Sequence, residues 1–287
     1  MESSPTDLAR QVDQAQSILE TPAATQARRL ERALAMSCRS LAAAMARLDP
    51  GSGAAVLETP AGVAIFAGSG SPLTQALAAG LSGPVSPADL DRLEAHLTPG
   101  GTGPTQLELC PFADPTLPAL LAERSYRVHE WQLAWTRLVP REPMAPPPPG
   151  LEVRRVRPGE EDAHVRTVLS AFLESEEVPE EAIAMLRPGA FAEGHELYLA
   201  LVDGQPVGGA TLSFADGVAL VSGSGVRPAF RGRGVQGALI RARLDRAREL
   251  SCDVACSSTL PGTPSRRNME RHGFHVAYPK LVMLRDR

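Results

Sequence analysis

From position 151 onward the apolar and polar positions fall into short, well-separated runs. Residues 151–156 alternate and predict a strand, residues 160–174 carry apolar positions at helical spacing, and residues 180–185 predict a second, shorter helix. Three further strands follow at 196–202, 206–214 and 218–226, separated by Asp203-Gly204 and Asp216-Gly217. Such dipeptides favour tight hairpins, because glycine accepts positive φ at no steric cost, so these strands predict an antiparallel meander. A helix at 235–250, a strand at 253–257, a helix at 265–272 and a strand at 274–284 complete the order β-α-α-β-β-β-α-β-α-β. That order predicts an α/β (α+β) fold with a mixed, mostly antiparallel sheet flanked by helices.

The first half is less explicit. Residues 7–48 are rich in Ala, Leu, Arg, Glu and Gln, and Pro22 is expected to divide them into two helices. Residues 62–67 predict a strand, and a Gly/Ser/Pro-rich stretch follows to position 86. Ser86-Pro87-Ala88-Asp89 opens a helix with a capping serine, proline at the first helical position and a first-turn acid. A strand at 106–110, a helix at 115–124 and a strand at 128–138 come next. The run from Pro140 to Gly150 lacks most backbone donors and reads as a stiff spacer, giving domains at 1–139 and 151–287 joined by a linker at 140–150. The succession of strand, proline-containing loop, helix and strand occurs near the end of both halves, as an ancient duplication would leave it.

Composition narrows the function. A chain of 287 residues suits two domains. Hydrophobic residues at 43% and charged residues at 22% indicate a packed protein rather than a disordered one. A net charge of −4 and a pI near 5.9 argue against nucleic acid as the main partner. The polar start shows no secretion signal and no stretch is apolar enough for a membrane span, so no membrane partner and a cytoplasmic location are expected. The cysteines Cys38, Cys110, Cys252 and Cys256 show no metal or redox spacing, and no metal is expected. Cys252 and Cys256 read as packing residues on one face of a single strand. Arg28, Arg29 and Arg32 read as a solvated helix face.

The segment that carries chemistry is Arg231-Gly232-Arg233-Gly234-Val235-Gln236-Gly237-Ala238, between a strand and a long helix. Its glycines allow close backbone approach, its successive N–H groups form an anion-binding concavity, and the helix start adds about 0.3 to 1 kcal/mol for a nearby anion. No Gly-Lys-Ser/Thr closes it and it follows a meander, so nucleoside triphosphate and dinucleotide sites are poor readings.

The sequence G-V-R-P-A-F-R-G-R-G-V-Q-G-A-L-I resembles the acyl-CoA signature of the GNAT (GCN5-related N-acetyltransferase) family, and P-G-T-P-S-R-R-N-M-E-R-H-G-F is similar to the family's later helix. Arg231 and Gly234 match the pattern, while Gln236 stands where glycine or alanine is more usual. The resemblance covers 151–287. It implies an acyl-CoA-dependent N-acyltransferase using acetyl-CoA as donor and a small-molecule or protein amine as acceptor. The implied CoA-binding residues are Val226, Arg231, Gly232, Arg233, Gly234, Val235, Gln236, Gly237 and Asn268, with the Val226 backbone N–H as oxyanion donor beside a gap between strands. Met269 stands where many relatives carry the tyrosine that protonates the thiolate, and Asn268 and Ser265 nearby are poor acids. Glu174, Glu176, Glu177 and Glu196 are candidate bases, as are His272 and His275, and none is selected. The acidic stretch 174–194 is expected to favour a cationic amine. The alternative reading is a non-catalytic acyl-CoA-binding protein. The first half offers only Gly83-Pro84-Val85-Ser86 at the corresponding place, which implies a degenerate repeat that completes the cleft or forms a homodimer.

Overall fold

The computed structural model describes residues 21–101 and 103–286. The expected helix before Pro22 lies outside them. α1 (Pro22–Leu48) starts at Pro22, with Thr21 as its N-cap accepting from Ala24 N–H at 3.2 Å. The first half continues through β1 (Ala55–Thr59), β2 (Gly62–Phe66), β3 (Gln75–Leu77), α2 (Pro87–Leu97), β4 (Thr105–Leu109), α3 (Leu117–Glu123) and β5 (Arg127–Leu138). The second contains β6 (Leu151–Arg155), α4 (Glu161–Leu173), α5 (Glu180–Leu186), β7 (His195–Val202), β8 (Gln205–Ala215), β9 (Val218–Val226), α6 (Val235–Glu249), β10 (Val254–Thr259), α7 (Pro264–Arg271) and β11 (His275–Arg285). In the second half the order matches the sequence expectation, and both Asp-Gly turns adopt the expected left-handed pair, with φ of 49° and 76° at 203–204 and 49° and 74° at 216–217.

All these strands form one 11-stranded sheet in the order β1-β2-β3-β4-β11-β5-β10-β9-β8-β7-β6. The two halves have exchanged their last strands. β5 of the first half lies between β10 and β11, and β11 of the second pairs with both β4 and β5. The β11–β5 pair has a parallel pair on either side, β3–β4 and β10–β9, and β6 is an extra edge strand on the second half's side.

Neighbouring residues of a strand point to opposite faces, and this alternation sorts the helices. On β9, Val218 and Leu220 pack with Ala27 and Leu30 of α1, while Ala219 and Val221 pack with Leu239 and Leu244 of α6. α1 and α6 therefore cover opposite faces. A Cβ at Gly209 would meet Val168 and His164 of α4, and one at Gly208 would meet Val235 and Leu239 of α6, so α4 shares the face of α1. Leu239, Ile240 and Leu244 are fully buried, each contributing on the order of 1.5–3 kcal/mol. In the first half, Leu90, Leu93 and Leu97 of α2 pack against Leu107, Leu121 and Tyr126.

Several expectations change. Cys252 precedes β10 in a turn closed by Ser251 at φ 57°, and it packs on the α6 side whereas Cys256 packs on the α1 side. Strand parity does not extend through that turn. Arg29 is not merely solvated, since it ion-pairs with Asp253 and donates to Asp216 O at 2.9 Å, fastening α1 to the second half. β1 and β3 add to the expected order, because β3 is a three-residue strand inside a Gly/Pro-rich stretch without alternation. The segment 140–150 runs along α6, where Met144 N–H donates to Asp245 Oδ1 at 2.8 Å and Arg241 Nε donates to Ala145 O at 2.9 Å.

Candidate functional site

β9 and β10 pair only from Val218 with Val254 to Leu220 with Cys256. Beyond that Ser257 Oγ donates to Val221 O at 2.8 Å, and β9 runs on to Val226 without pairing to β10. The sheet opens there. Arg227 N–H donates to Val207 O at 2.9 Å, so in the alternating antiparallel ladder Val226 and Gly208 form a non-hydrogen-bonded pair. The Val226 N–H therefore points away from β8, to the side from which β10 has diverged. Across the gap, Trp135 of β5 is 1% exposed and donates from Nε1 to Thr259 Oγ1 at 2.9 Å. The far side of the gap is thus β10, backed by β5 of the first half.

At the end of β9 the chain turns through Pro228–Phe230 into the glycine-rich loop. Gly232 and Gly234 have φ of 75° and 77°, the left-handed region that other residues adopt only at a cost. Gly234 is the N-cap of α6 and supplies no side chain. The first intrahelical bond is Ala238 N–H to Gly234 O at 3.0 Å. Among the described residues, the N–H groups of Gly232, Arg233, Gly234, Val235, Gln236 and Gly237 have no acceptor. These are the orphan donors that a helix start leaves for an anion.

The corresponding helix of the first half is closed. Ser86 Oγ accepts from Asp89 N–H at 3.1 Å and Asp89 Oδ2 accepts from Ser86 N–H at 3.2 Å, which puts the chain's own carboxylate where an anion would sit. The gap between β3 and β4 is bridged as well, by Asp114 N–H donating to Gly80 O at 2.8 Å.

The side chains around the loop are already committed. Arg231 donates to Glu174 Oε1 at 2.7 Å, Ala171 O at 3.0 Å and Val226 O at 3.3 Å, so it ties the loop to the end of α4. Arg233 lies over the Phe230 ring at 5.1 Å. Asn268 is half-buried on α7. Its carbonyl faces His272 Nδ1 at 2.8 Å, and a Cβ at Gly237 would lie 3.0 Å from His272 Nε2. His272, at the end of α7, packs against the first turn of α6 at Gly237, a packing role that the sequence did not signal. Burial lowers its pKa, against the bond to Asn268.

The candidate acids Glu174, Glu176 and Glu196 are engaged by arginines. Glu174 and Glu176 are ion-paired with Arg231 and Arg227. Glu196 lies two strands away, bonded to Arg246 at 2.7 Å and to the Tyr198 hydroxyl at 3.2 Å. Burial pushes its carboxyl up, and the contacts with Arg246, Tyr198 and Arg155 outweigh this and hold it below the usual range. His275 is exposed on β11. Met269 is 4% exposed and packs with Val226 and Phe274 in the core. Among the described residues no cluster of potential metal ligands occurs, and no helix is long and apolar enough to cross a membrane.

Residues 164–274 match the model of the acetyltransferase (GNAT) family. No curated protein matches the chain. Among solved structures, a GCN5-related N-acetyltransferase from Kribbella flavida has a similar fold, with TM-score 0.60 and 18% identity over 85% of this chain and 94% of that one. One from Sphaerobacter thermophilus gives TM-score 0.54 and 20% identity over 81% of this chain and 75% of that one. A tandem GNAT protein from the clavulanic acid biosynthesis pathway gives TM-score 0.53 and 16% identity over 74% of this chain and 73% of that one. Residues 164–274, which match the acetyltransferase (GNAT) family model, contain both the gap between β9 and β10 and the uncapped helix that follows it.

Proposed function

We propose that the chain is an N-acetyltransferase that uses acetyl-CoA and transfers the acetyl group to the amine of a small molecule or protein. The observation that carries this reading is the row of unbonded N–H groups from Gly232 to Gly237 beside the opening of the sheet. Those residues would hold the CoA pyrophosphate, and the bound thioester supplies the acyl group. Val226 directs its N–H into the opening and would stabilise the oxyanion formed when the amine attacks. Trp135 and Thr259, bonded to one another, exclude water from the far wall.

Glu174, Glu176 and Glu196 each hold an arginine, so the reading favours an amine that reaches the site already deprotonated or loses its proton through water. A thioether at Met269, buried in the core, has no proton for the departing thiolate. That observation favours a second reading, acyl-CoA binding without turnover. Release of free thiol from acetyl-CoA over a panel of primary amines separates the two. Amine-dependent release supports the transferase, and saturable binding without release across the panel supports the second reading.

A further inference from the structure

A cavity of about 790 Å³ lies away from the glycine-rich loop, between α1 and the ends of β7 and β8. Ser37 of α1, His195 of β7 and Ser213 of β8 meet in its wall. Ser37 Oγ is 3.0 Å from His195 Nε2, and Ser213 Oγ is 2.9 Å from Ser37 Oγ. The direction of this chain follows from what each group must satisfy. Ser213 is 3% exposed, and Ser37 Oγ is its acceptor among the described residues. A buried hydroxyl that failed to donate would leave its proton unpaired. Ser213 therefore donates to Ser37, and Ser37 keeps its own proton to give to His195 Nε2 in the tautomer that leaves that nitrogen unprotonated.

We propose that Ser37 and His195 form a second active centre, a nucleophile and its base, that cleaves small carboxylic esters. A serine hydroxyl pointing at a neutral imidazole is the arrangement that activates a weak nucleophile. Ser213, behind the serine, is a positioning residue. Arg39, paired with Glu58 at 2.9 Å, and Arg47, which donates to Phe191 O at 2.9 Å, line the same cavity and make its wall basic, while Met36 and Phe191, both exposed, suit an apolar ester substituent. The position is open because α1 crosses the sheet with small residues, Ala33, Ser37 and Ser40, on the side that faces the cavity.

The step balances within the protein, substrate and water. Ser37 Oγ bonds to the ester carbonyl carbon and its proton passes to His195 Nε2. The C–O bond to the alcohol then breaks and the alcohol leaves with that proton, giving acyl-Ser37. Water attacks the acyl group, gives a proton to His195, and releases the carboxylic acid as that proton returns to Ser37.

Labelling with a fluorophosphonate, followed by mass spectrometry of proteolytic fragments, tests this on the full chain. The expected result is one adduct per wild-type chain, on the peptide containing Ser37. Ser37→Ala should take no label. His195→Gln should be labelled at least about a hundredfold more slowly, the lower bound of what a general base contributes. Thermal melting of each variant separates loss of the pair from loss of the fold, and the wild-type adduct itself needs no variant. Absence of an adduct at Ser37, or an unchanged rate in His195→Gln with its melting temperature retained, would overturn the proposal.

Discussion

Replacing Lys280 by methionine tests how the exchanged strands and α1 are held together. Lys280, on β11, is 2% exposed. Its ammonium lies 3.3 Å from Glu31 of α1 and pairs with Glu108 of β4, and the Tyr278 hydroxyl donates to Glu31 at 2.9 Å. Burial drives the Glu108 carboxyl upward, against the pull of Lys280. Burial lowers the Lys280 pKa, but the two carboxylates outweigh it and raise it overall. Methionine fills much of the same volume and leaves two buried carboxylates without their cation, a change that costs about 3–5 kcal/mol. The variant can relieve that cost by taking up protons. Its carboxyls would then have folded pKa values above their unfolded ones, so the deficit is smallest at low pH and grows as pH rises towards the folded values, by about 1.36 kcal/mol for each pH unit that separates folded from unfolded pKa. Urea unfolding at pH 5 and pH 8, followed by fluorescence of the buried Trp135, should show the larger loss at pH 8. Adding Glu108→Gln should recover part of it. A loss below about 1 kcal/mol, or one independent of pH, would refute the clamp.

Gly232→Ala with Gly234→Ala places side chains at two positive-φ positions, at about 1–2 kcal/mol each, and acetyl-CoA affinity by calorimetry should fall at least about tenfold. Glu174→Gln breaks a pair whose side chains are 68% and 48% exposed, so it should alter KM for acetyl-CoA by less than about fivefold and leave kcat unchanged, whereas a large fall in kcat would identify Glu174 as the base. Burial, helped by the charge of Arg243 and opposed by Tyr198 O, lowers His164 to about 4 from 6.5. A depressed folded pKa contributes stability that is present above 6.5 and lost as pH falls towards 4, about 3 kcal/mol in all. His164→Asn should flatten that acid limb in urea unfolding curves, and an unchanged limb would refute the assignment.

Much of the second half was legible because its elements are long, strongly patterned and punctuated. The Asp-Gly turns, the strand 218–226 and the loop before Val235 each carry a local physical signal, and the structure has them where the pattern indicated. The exchange of β5 and β11 was not legible, since a strand's pattern says which face it buries and not which neighbour it chooses. The commitments of Glu174, Glu176 and Glu196 to arginines were hidden for the same reason, as their partners lie 57, 51 and 50 positions away. The Ser37–His195 contact spans 158 positions and has no motif. By contrast, the capping residues Ser86 and Asp89 could be read locally, and in the structure they explain why the first half lacks the open helix start found at Gly234.

Calorimetric titration of the full chain with acetyl-CoA tests the central claim most directly. The open start of α6 beside the gap between β9 and β10 predicts saturable binding of a single acetyl-CoA per chain, weakened by the Gly232/Gly234 double substitution and unaffected by Ser86→Ala. Absence of binding, or two equivalent sites per chain, would contradict it.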